Sequence, residues 1–437
     1  MRRRALWTAI WLSIFFLLVY GTTNEISAHR NDVGAWFFEW ERSIPYVGWM
    51  AIPYLSIDLF FVVAPFLCVD RRELRMLAWR IVLAIVVAAA CFLAMPLRLE
   101  FEATSTPDAL GRIFDAFRAL DRPHNLLPSL HIALGVILAE HYATHSRGAL
   151  RGAFVAWFVI VGASTLFTHR HHVVDLAAGA VLGVMAIYAV ARPCDAAPVR
   201  VREPRLALRY AGASVIFAAT AAFAWPWSGV LLWPSLALLI VAIGYAGAGT
   251  LIFRKCRGAI AWSARIVLAP VLIGQRLSWL WYSRRNRAWD EPIPRLRIGR
   301  TLTAREGRRA IADGLGAVLD LTSEGSECAP LRRVCYRNLQ VMDLTAPSPG
   351  QIDDGVSFID ERLSRGESIL VHCKAGYSRS AVLVAAHLIR SGVASSADDA
   401  IATLERVRPG IVIRPEARAA IRAFAARRAA TNEAEPG

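Results

Sequence analysis

The chain has few cysteines for its length, and they lack the spacing of metal or disulfide motifs. Its 437 residues include seven cysteines with no paired arrangement, so we expect neither a disulfide framework nor a zinc site. Charge is also scarce. Charged residues make up 19% of the chain and hydrophobic residues 55%, a composition too apolar for an ordinary soluble protein of this length.

Long apolar runs account for this composition and fill the first 260 residues. Each run is about long enough to cross a bilayer, and no clear small-x-small cleavage site follows the first one, which predicts a retained anchor rather than a signal peptide. We expect about eight membrane spans, near residues 6–20, 48–68, 81–95, 130–145, 153–168, 173–190, 208–224 and 230–253.

Basic residues are concentrated in every second loop between these runs. The basic segments are residues 2–4, 71–75, 147–151, 192–209 and 254–257. The positive-inside rule places these loops in the cytoplasm, so the net charge of +15 requires no nucleic acid partner. The pattern predicts an integral protein of a bacterial inner membrane, with the last third of the chain in the reducing cytoplasm.

A phosphate-binding loop follows a predicted strand at residues 367–371. The loop reads His372-Cys373-Lys374-Ala375-Gly376-Tyr377-Ser378-Arg379, then Ser380. A thiolate at Cys373 would attack phosphorus, and its pKa is expected to be lowered by His372, by the start of the next helix and by Arg379. The backbone of residues 374–378 would cup the phosphate oxygens, Arg379 would grip them bidentately, and Ser380 would help the thiolate leave.

This Cys-x5-Arg run resembles the protein tyrosine phosphatase superfamily, especially its dual-specificity branch. The resemblance implies a general acid on an earlier loop, and Asp343 in Val-Met-Asp-Leu-Thr-Ala-Pro at 341–347 matches it. The mitochondrial-type phosphatidylglycerophosphate phosphatases are most similar, through residues 371–380, Ala-Ala-His-Leu-Ile at 385–389 and Ile-Arg-Pro at 413–415. Lys374 suits a multiply charged lipid head group, whereas Tyr377 stands where those enzymes carry a basic residue.

A second set of reactive residues lies in loops predicted on the other face of the membrane. Pro-Ser-Leu-His ends at His131, and Ser-Thr-x5-His-x3-Asp covers His171 and Asp175. If the sixth span begins as a helix here, the carboxylate of Asp175 orients the imidazole of His171 for attack on phosphorus, and His131 protonates the departing oxygen.

These motifs resemble the type 2 phosphatidic acid phosphatase superfamily, in particular its inositol phosphorylceramide synthase-like branch. The resemblance covers residues 1–193 and implies His171 as nucleophile, Asp175 as its orienting partner and His131 as acid or base. Thr165 replaces an Arg of the general pattern, so Arg98 is the candidate for phosphate binding at this site. His169 and His172 look like bystanders.

The expected architecture is a multi-span helical membrane domain followed by a soluble α/β phosphatase domain with a central, mainly parallel sheet. We divide the chain into a membrane domain (1–193), a linker and transmembrane hairpin (194–257), a juxtamembrane segment (258–287), a phosphatase domain (288–429) and a disordered tail (430–437). The juxtamembrane segment is apolar but interrupted by Arg265 and Pro270, which favours a helix on the cytoplasmic surface over a ninth crossing.

Three functions fit these motifs. The favoured one is a bifunctional enzyme of lipid metabolism, with a cysteine-dependent lipid phosphatase inside and a histidine-dependent phosphatase or head-group transferase outside. The second is a membrane-tethered protein tyrosine, serine or threonine phosphatase with a sensory or vestigial membrane domain. The third is a non-enzymatic transporter or scaffold, which would leave both sets of reactive residues unexplained. No cofactor is expected, and the partners are phosphorylated lipids and the membrane.

Overall fold

The computed structural model describes residues 1–101, 109–120, 124–194, 199–225 and 227–434. These residues form two compact units, Met1–Pro193 and Cys194–Gly437. Parts of the predicted linker, the hairpin turn at residue 226 and the end of the tail lie outside the described residues.

The regular elements of the first unit, among its described residues, are helices, together with isolated β-bridges that join Leu97 to Gly34 and Asn125. Its helices are α1 (Arg2–Ala28), α2 (Ala51–Leu67), α3 (Arg71–Ala94), α4 (Ala109–Leu120), α5 (Leu130–Thr144), α6 (Gly148–Phe167) and α7 (Val173–Ala189). Small residues let α5 and α7 pack backbone to backbone, because a Cβ on Gly179 would lie 2.4 Å from the Ser129 carbonyl oxygen. This close packing brings the start of α5 to the start of α7.

The second unit begins with a helical hairpin and continues into a sheet domain. Its elements are α8 (Pro204–Phe223), α9 (Leu232–Ile243), β1 (Lys255–Cys256), β2 (Ala259–Ile260), α10 (Trp262–Val267), α11 (Ala269–Arg285), β3 (Trp289–Ile293), β4 (Leu296–Arg300), α12 (Ala304–Ala312), β5 (Leu315–Thr322), β6 (Cys335–Val341), α13 (Pro349–Ser364), β7 (Ser368–Cys373), α14 (Ser378–Arg390), α15 (Ala397–Val407) and α16 (Pro415–Ala434). Ser214 and Ser235 join α8 to α9, each hydroxyl donating to the other's carbonyl at 2.8 and 2.9 Å.

The main sheet has five strands in the order β3-β4-β7-β5-β6, and only the β3–β4 pair is antiparallel. The predicted helical region followed by an α/β domain with a mainly parallel sheet is therefore confirmed. Ile369, Val371 and Cys373 belong to the core on the α13 and α14 face, whereas Leu370 belongs to the core on the α12 face. Successive side chains of β7 thus point to opposite faces.

All eight predicted spans coincide with helical segments, but not every one of these helices is long enough to cross a membrane. Among the described residues, six helices are long and apolar enough to cross a membrane, and α7 is a shorter apolar helix. The eighth run is broken, because α9 gives way to a π-turn at Gly244–Ala248 and a 3-10 turn at Gly249–Phe253. The helices indicate a membrane protein, and the number of crossings stays a proposal.

One cysteine expectation was wrong. Cys194 and Cys256 form a disulfide, with Cα atoms 5.9 Å apart across a sequence separation of 62. The pair has no sequence motif because tertiary folding alone brings β1 to the segment before α8. The bond counts against the reducing environment that the basic loops predict on this side of the membrane.

The segment 430–437, predicted to be disordered, is helical at its start. Helix α16 continues to Ala434, because its alanine- and arginine-rich end favours helix. Residues 435–437 lie outside the described part of the chain.

Candidate active sites

Cys373 ends β7 and is almost fully buried, with its thiol at the floor of a cavity of about 460 Å³. Its Sγ lies 3.5 Å from the hydroxyl oxygen of Ser380, in the first turn of α14. Burial alone would raise the pKa of the thiol, but the charge of Arg379, the Ser380 hydroxyl and backbone amides of the loop lower it below 9.0. The site therefore favours the thiolate, the form that attacks phosphorus.

Neighbouring elements contact the loop between Cys373 and α14 and fix its backbone. Gly376 has a φ of +72°, and a Cβ there would lie 2.5 Å from the carbonyl carbon of Gly299. The carbonyl of Ala375 accepts a hydrogen bond from Arg408 at 3.4 Å, and the Ser378 hydroxyl donates to the Val412 carbonyl at 2.9 Å. The Tyr377 hydroxyl donates to Asn286 at 3.0 Å. These contacts keep the loop in a fixed curve around the thiol.

Arg379 is anchored by a carboxylate that no motif predicts. Its Nη1 and Nη2 donate to the two carboxylate oxygens of Glu324 at 3.0 and 2.7 Å, and Nη1 also donates to the Val341 carbonyl at 2.8 Å. The other edge of the guanidinium carries Nε and the second Nη2 hydrogen. Asp343 takes that Nη2 hydrogen, at 3.1 Å.

Asp343 lies between Arg379 and Lys374. Its second oxygen accepts from Lys374 at 2.6 Å, so the carboxylate bridges both cations of the loop. Burial would raise the pKa of Asp343, but Arg379 and Lys374 lower it below its usual value. The predicted general acid is therefore ionised in this structure.

The structure places the side chain of His372 away from the thiol. Because side chains alternate along β7, its imidazole faces away from the Cys373 side, and its Nε2 lies 2.7 Å from a carboxylate oxygen of Glu327. Burial would lower the pKa of His372, but Glu327 and Asp320 raise it to about 9. Lys255 completes this group, with its ammonium 2.7 Å from the carboxylate of Asp320.

Helix α11 forms one wall of the cavity. Gln275 accepts a hydrogen bond from Lys374 at 2.6 Å, and Ser278, Trp281 and Tyr282 line the mouth. The Trp279 indole is buried and donates to the Thr301 carbonyl at 3.0 Å, which fixes the helix on the sheet domain. The juxtamembrane segment, expected to be separate from the catalytic domain, is thus a part of its site.

The first unit brings together His131, His171 and Asp175. Nδ1 of His171 lies 3.5 Å from Asp175, and His131 is close enough to interact electrostatically with His171 and Arg170. The ring of His131 stacks on Tyr54 at 4.2 Å. His171 precedes α7 rather than lying on it, and Asp175 accepts the backbone N–H of His172 at 2.8 Å as part of the helix cap. His171 and Asp175 are therefore brought together by the turn that caps α7.

Two neighbouring histidines have structural partners. Nδ1 of His172 lies 2.9 Å from the fully buried carboxylate of Glu41, and the ring of His169 stacks on Phe101 at 4.4 Å. Arg98 pairs with Glu100 at 2.8 Å and its side chain is 60% exposed. Arg170, which is buried beside His171, is the basic residue that acts on His131, and sequence reasoning overlooked it.

Residues 310–427 match the family model described as dual specificity phosphatase, catalytic domain. Phosphatidylglycerophosphatase and protein-tyrosine phosphatase 1 of Rattus norvegicus is 41% identical over 78 residues, which cover 18% of this chain and 40% of that protein. Tyrosine-protein phosphatase CDC14 of Saccharomyces cerevisiae is 36% identical over 74 residues, covering 17% and 13%. The chain thus spans less than half the length of these curated relatives.

Solved structures show similar partial matches. The structure of Tk-PTP in the active form is 27% identical, covering 32% of this chain and 97% of that chain with a TM-score of 0.30. The structure of PTPMT1 is 24% identical, covering 34% and 99% with a TM-score of 0.31.

Proposed function

We propose that this chain, whose residues 310–427 form a dual-specificity phosphatase domain, is a membrane enzyme that hydrolyses lipid phosphomonoesters through Cys373. The observation that supports the chemistry is the buried Cys373 thiol, whose pKa is lowered beside Arg379. The name of the relative from Rattus norvegicus supports a phosphatidylglycerophosphate-like substrate. Exposed apolar side chains at the cavity mouth, Trp281, Leu344 and Val412, suit a substrate that carries acyl chains.

The arriving phosphate takes the place of Asp343 between Arg379 and Lys374. Nε and Nη2 of Arg379 then bind two phosphate oxygens, and the displaced Asp343 carboxyl, next to a new negative charge, takes up a proton. The Cys373 thiolate attacks phosphorus and the bond to the leaving oxygen breaks as Asp343 protonates that oxygen. Water, deprotonated by Asp343, then cleaves the phosphocysteine, and the Ser380 hydroxyl stabilises the departing thiolate.

A substrate panel tests this proposal with the purified full-length protein. Phosphate release would be measured from phosphatidylglycerophosphate, phosphoinositides and phosphatidic acid in mixed micelles and from phosphotyrosine and phosphothreonine peptides, with Cys373→Ser as the inactive reference. We expect Cys373-dependent release to be fastest from a lipid. A preference for peptides would favour the membrane-tethered protein phosphatase, and full activity of Cys373→Ser would refute the mechanism.

The first unit supports a second activity. His171, Asp175 and His131 lie together with the buried Arg170, which fits the predicted outer-face phosphatase or head-group transferase with His171 as nucleophile. Because Arg98 pairs with Glu100, we now favour Arg170 over Arg98 for phosphate binding.

His171→Ala should abolish this activity and leave Cys373-dependent hydrolysis unchanged. Release of phosphate from phosphatidic acid and diacylglycerol pyrophosphate, and transfer from phosphatidylinositol to ceramide, would be measured in His171→Ala, Arg170→Ala and Arg98→Ala. We expect Arg170→Ala to weaken binding more than Arg98→Ala. If His171→Ala changes none of the three activities, the outer site is vestigial.

A further inference from the structure

Tyr245 lies beyond α9, in the π-turn that ends the helical hairpin, and it is 2% exposed. Its ring stacks on Tyr210 of α8, with centroids 5.5 Å apart and the planes 12° from parallel. Its hydroxyl donates a hydrogen bond of 2.7 Å to the main-chain carbonyl of Asp343. A residue of the hairpin therefore contacts the residue expected to protonate the leaving group.

The backbone at Asp343 depends on such outside support. The residue after it, Leu344, has a φ of +61°, a backbone conformation that residues other than glycine seldom adopt. The Thr345 amide closes a turn onto the Met342 carbonyl at 3.3 Å. Within the loop, the Leu344 amide donates to a carboxylate oxygen of Asp343 at 3.1 Å, and the position of the Asp343 main-chain carbonyl also affects the direction of that carboxyl group. Tyr245 fixes that carbonyl.

The end of the hairpin is fitted closely to this loop. A Cβ on Gly244 would lie 3.3 Å from the methyl carbon of Met342, so the backbone beside Tyr245 lies close to the residue before Asp343. Through the Asp343 backbone, the same contact sets the side chain that bridges Lys374 at 2.6 Å and Arg379 at 3.1 Å. The Tyr245 hydroxyl thus contacts the main chain of the residue whose carboxylate lies between Lys374 and Arg379.

We infer that Tyr245 is a positioning residue for proton transfer by Asp343, so that the apolar hairpin, outside the matched catalytic domain, is part of the catalytic apparatus. The inference rests on the proposed function of Cys373 and Asp343. Its physical basis is that a general acid must lie within hydrogen-bond reach of the leaving oxygen, and a displacement of about 1 Å is enough to lower the rate.

The experiment compares Tyr245→Phe, which keeps the stacked ring and removes only the hydroxyl, with wild type in the full-length protein in detergent. Tyr210→Phe is the matched control, because it removes a hydroxyl from the other ring of the same stack. The substrates are aryl phosphates whose leaving groups range from para-nitrophenol, which needs little protonation, to phenol, which needs it most. Asp343→Asn provides the pattern expected for loss of the acid.

We expect Tyr245→Phe to lower kcat for phenyl phosphate about tenfold and kcat for para-nitrophenyl phosphate less than about twofold. Tyr210→Phe should change neither. An equal loss on both substrates, or no loss on either, overturns the inference, because a general folding defect does not discriminate between leaving groups. If wild type shows no activity that Cys373→Ser removes, the proposed function fails instead, so the two failures are distinguishable.

Discussion

At the scale of single residues, the phosphatase site depends on a second charged cluster on the other face of the sheet. His372 and Glu327 form an ion pair, and Lys255 and Asp320 form another, with all four side chains almost completely buried. The Tyr336 hydroxyl donates to Asp320 at 2.7 Å. The cluster lies directly behind the strand that ends in Cys373. Its ionisation should therefore affect the stability of the catalytic strand.

The raised pKa of His372 predicts that stability falls with increasing pH. The pKa is about 9 in the folded chain against an ordinary 6.5, so its contribution is fully present below pH 6.5 and is lost as pH rises to about 9. The contribution is on the order of 3 kcal/mol. Thermal midpoints measured between pH 6.5 and 9.5 should decline in wild type.

In Glu327→Gln that decline should be smaller, because His372 loses the partner that raises its pKa. Glu405→Gln is the control, since it removes a carboxylate from an exposed pair with Arg418. If Glu327→Gln and wild type show the same pH dependence, His372 is not the titrating group.

Sequence spacing could predict the residues that act on phosphate but not those that hold them. Cys373, Arg379 and Ser380 have a recognisable spacing in the sequence because one loop has to surround one phosphate. Asp343 lies in a second recognisable loop, at residues 341–347. Glu324 and Tyr245 reach the site from other elements, where no spacing constrains them. His372 was misjudged, because sequence adjacency to Cys373 does not reveal that side chains alternate across a strand.

At the scale of elements, two buried strands and four helices of the sheet domain were predictable. The sequence predicts strands at 317–321 and 368–371 and helices at 353–365, 380–391, 397–406 and 415–427, and these correspond to β5 and β7 and to α13, α14, α15 and α16. The strands β3, β4 and β6 were missed. Strands β3 and β6 are only partly buried and carry charged residues that hide the alternation, and two arginines interrupt the apolar pattern of β4. The role of α11 was missed because a helix that lines a cavity has the same sequence pattern as a helix on the surface.

Elements before residue 288 complete the phosphatase fold, so a shorter chain should be impaired. A protein of residues 288–429 lacks Lys255, the ammonium partner of Asp320, and breaking such a buried pair costs about 3–5 kcal/mol. It also lacks Tyr245 and Gln275. We expect a lower thermal midpoint and slower hydrolysis of phenyl phosphate than for residues 194–437 measured in the same detergent.

A matched variant separates the two causes. Lys255→Met in residues 194–437 should reproduce the loss of stability but retain the preference between leaving groups. If the short and long chains are equally stable and active, the preceding elements do not support the site.

At the scale of the whole molecule, the distribution of basic loops predicts that the two reactive sets face opposite sides of the membrane. Cys335 is a free, exposed cysteine of the second unit and serves as a native reporter for the Cys373 side. Ser43 is exposed in the loop before α2, on the predicted outer side, and Ser43→Cys combined with Cys335→Ser reports that face.

An impermeant maleimide should label the Ser43→Cys variant in intact spheroplasts and label Cys335 only after permeabilisation. Unmodified protein and Cys335→Ser provide the background. Labelling of both positions from the same side would mean that a span has been miscounted. Labelling of Cys335 from outside would place the phosphatase domain where the Cys194–Cys256 disulfide persists.

That disulfide makes residues 194–256 a covalently closed ring. A protease that cuts once inside the ring produces two polypeptides that stay joined by the disulfide. On an electrophoresis gel the nicked protein would therefore migrate as one band without a reductant and as two bands with it. The hairpin that carries Tyr245 thus stays attached to the phosphatase at both ends, even after its own backbone is broken.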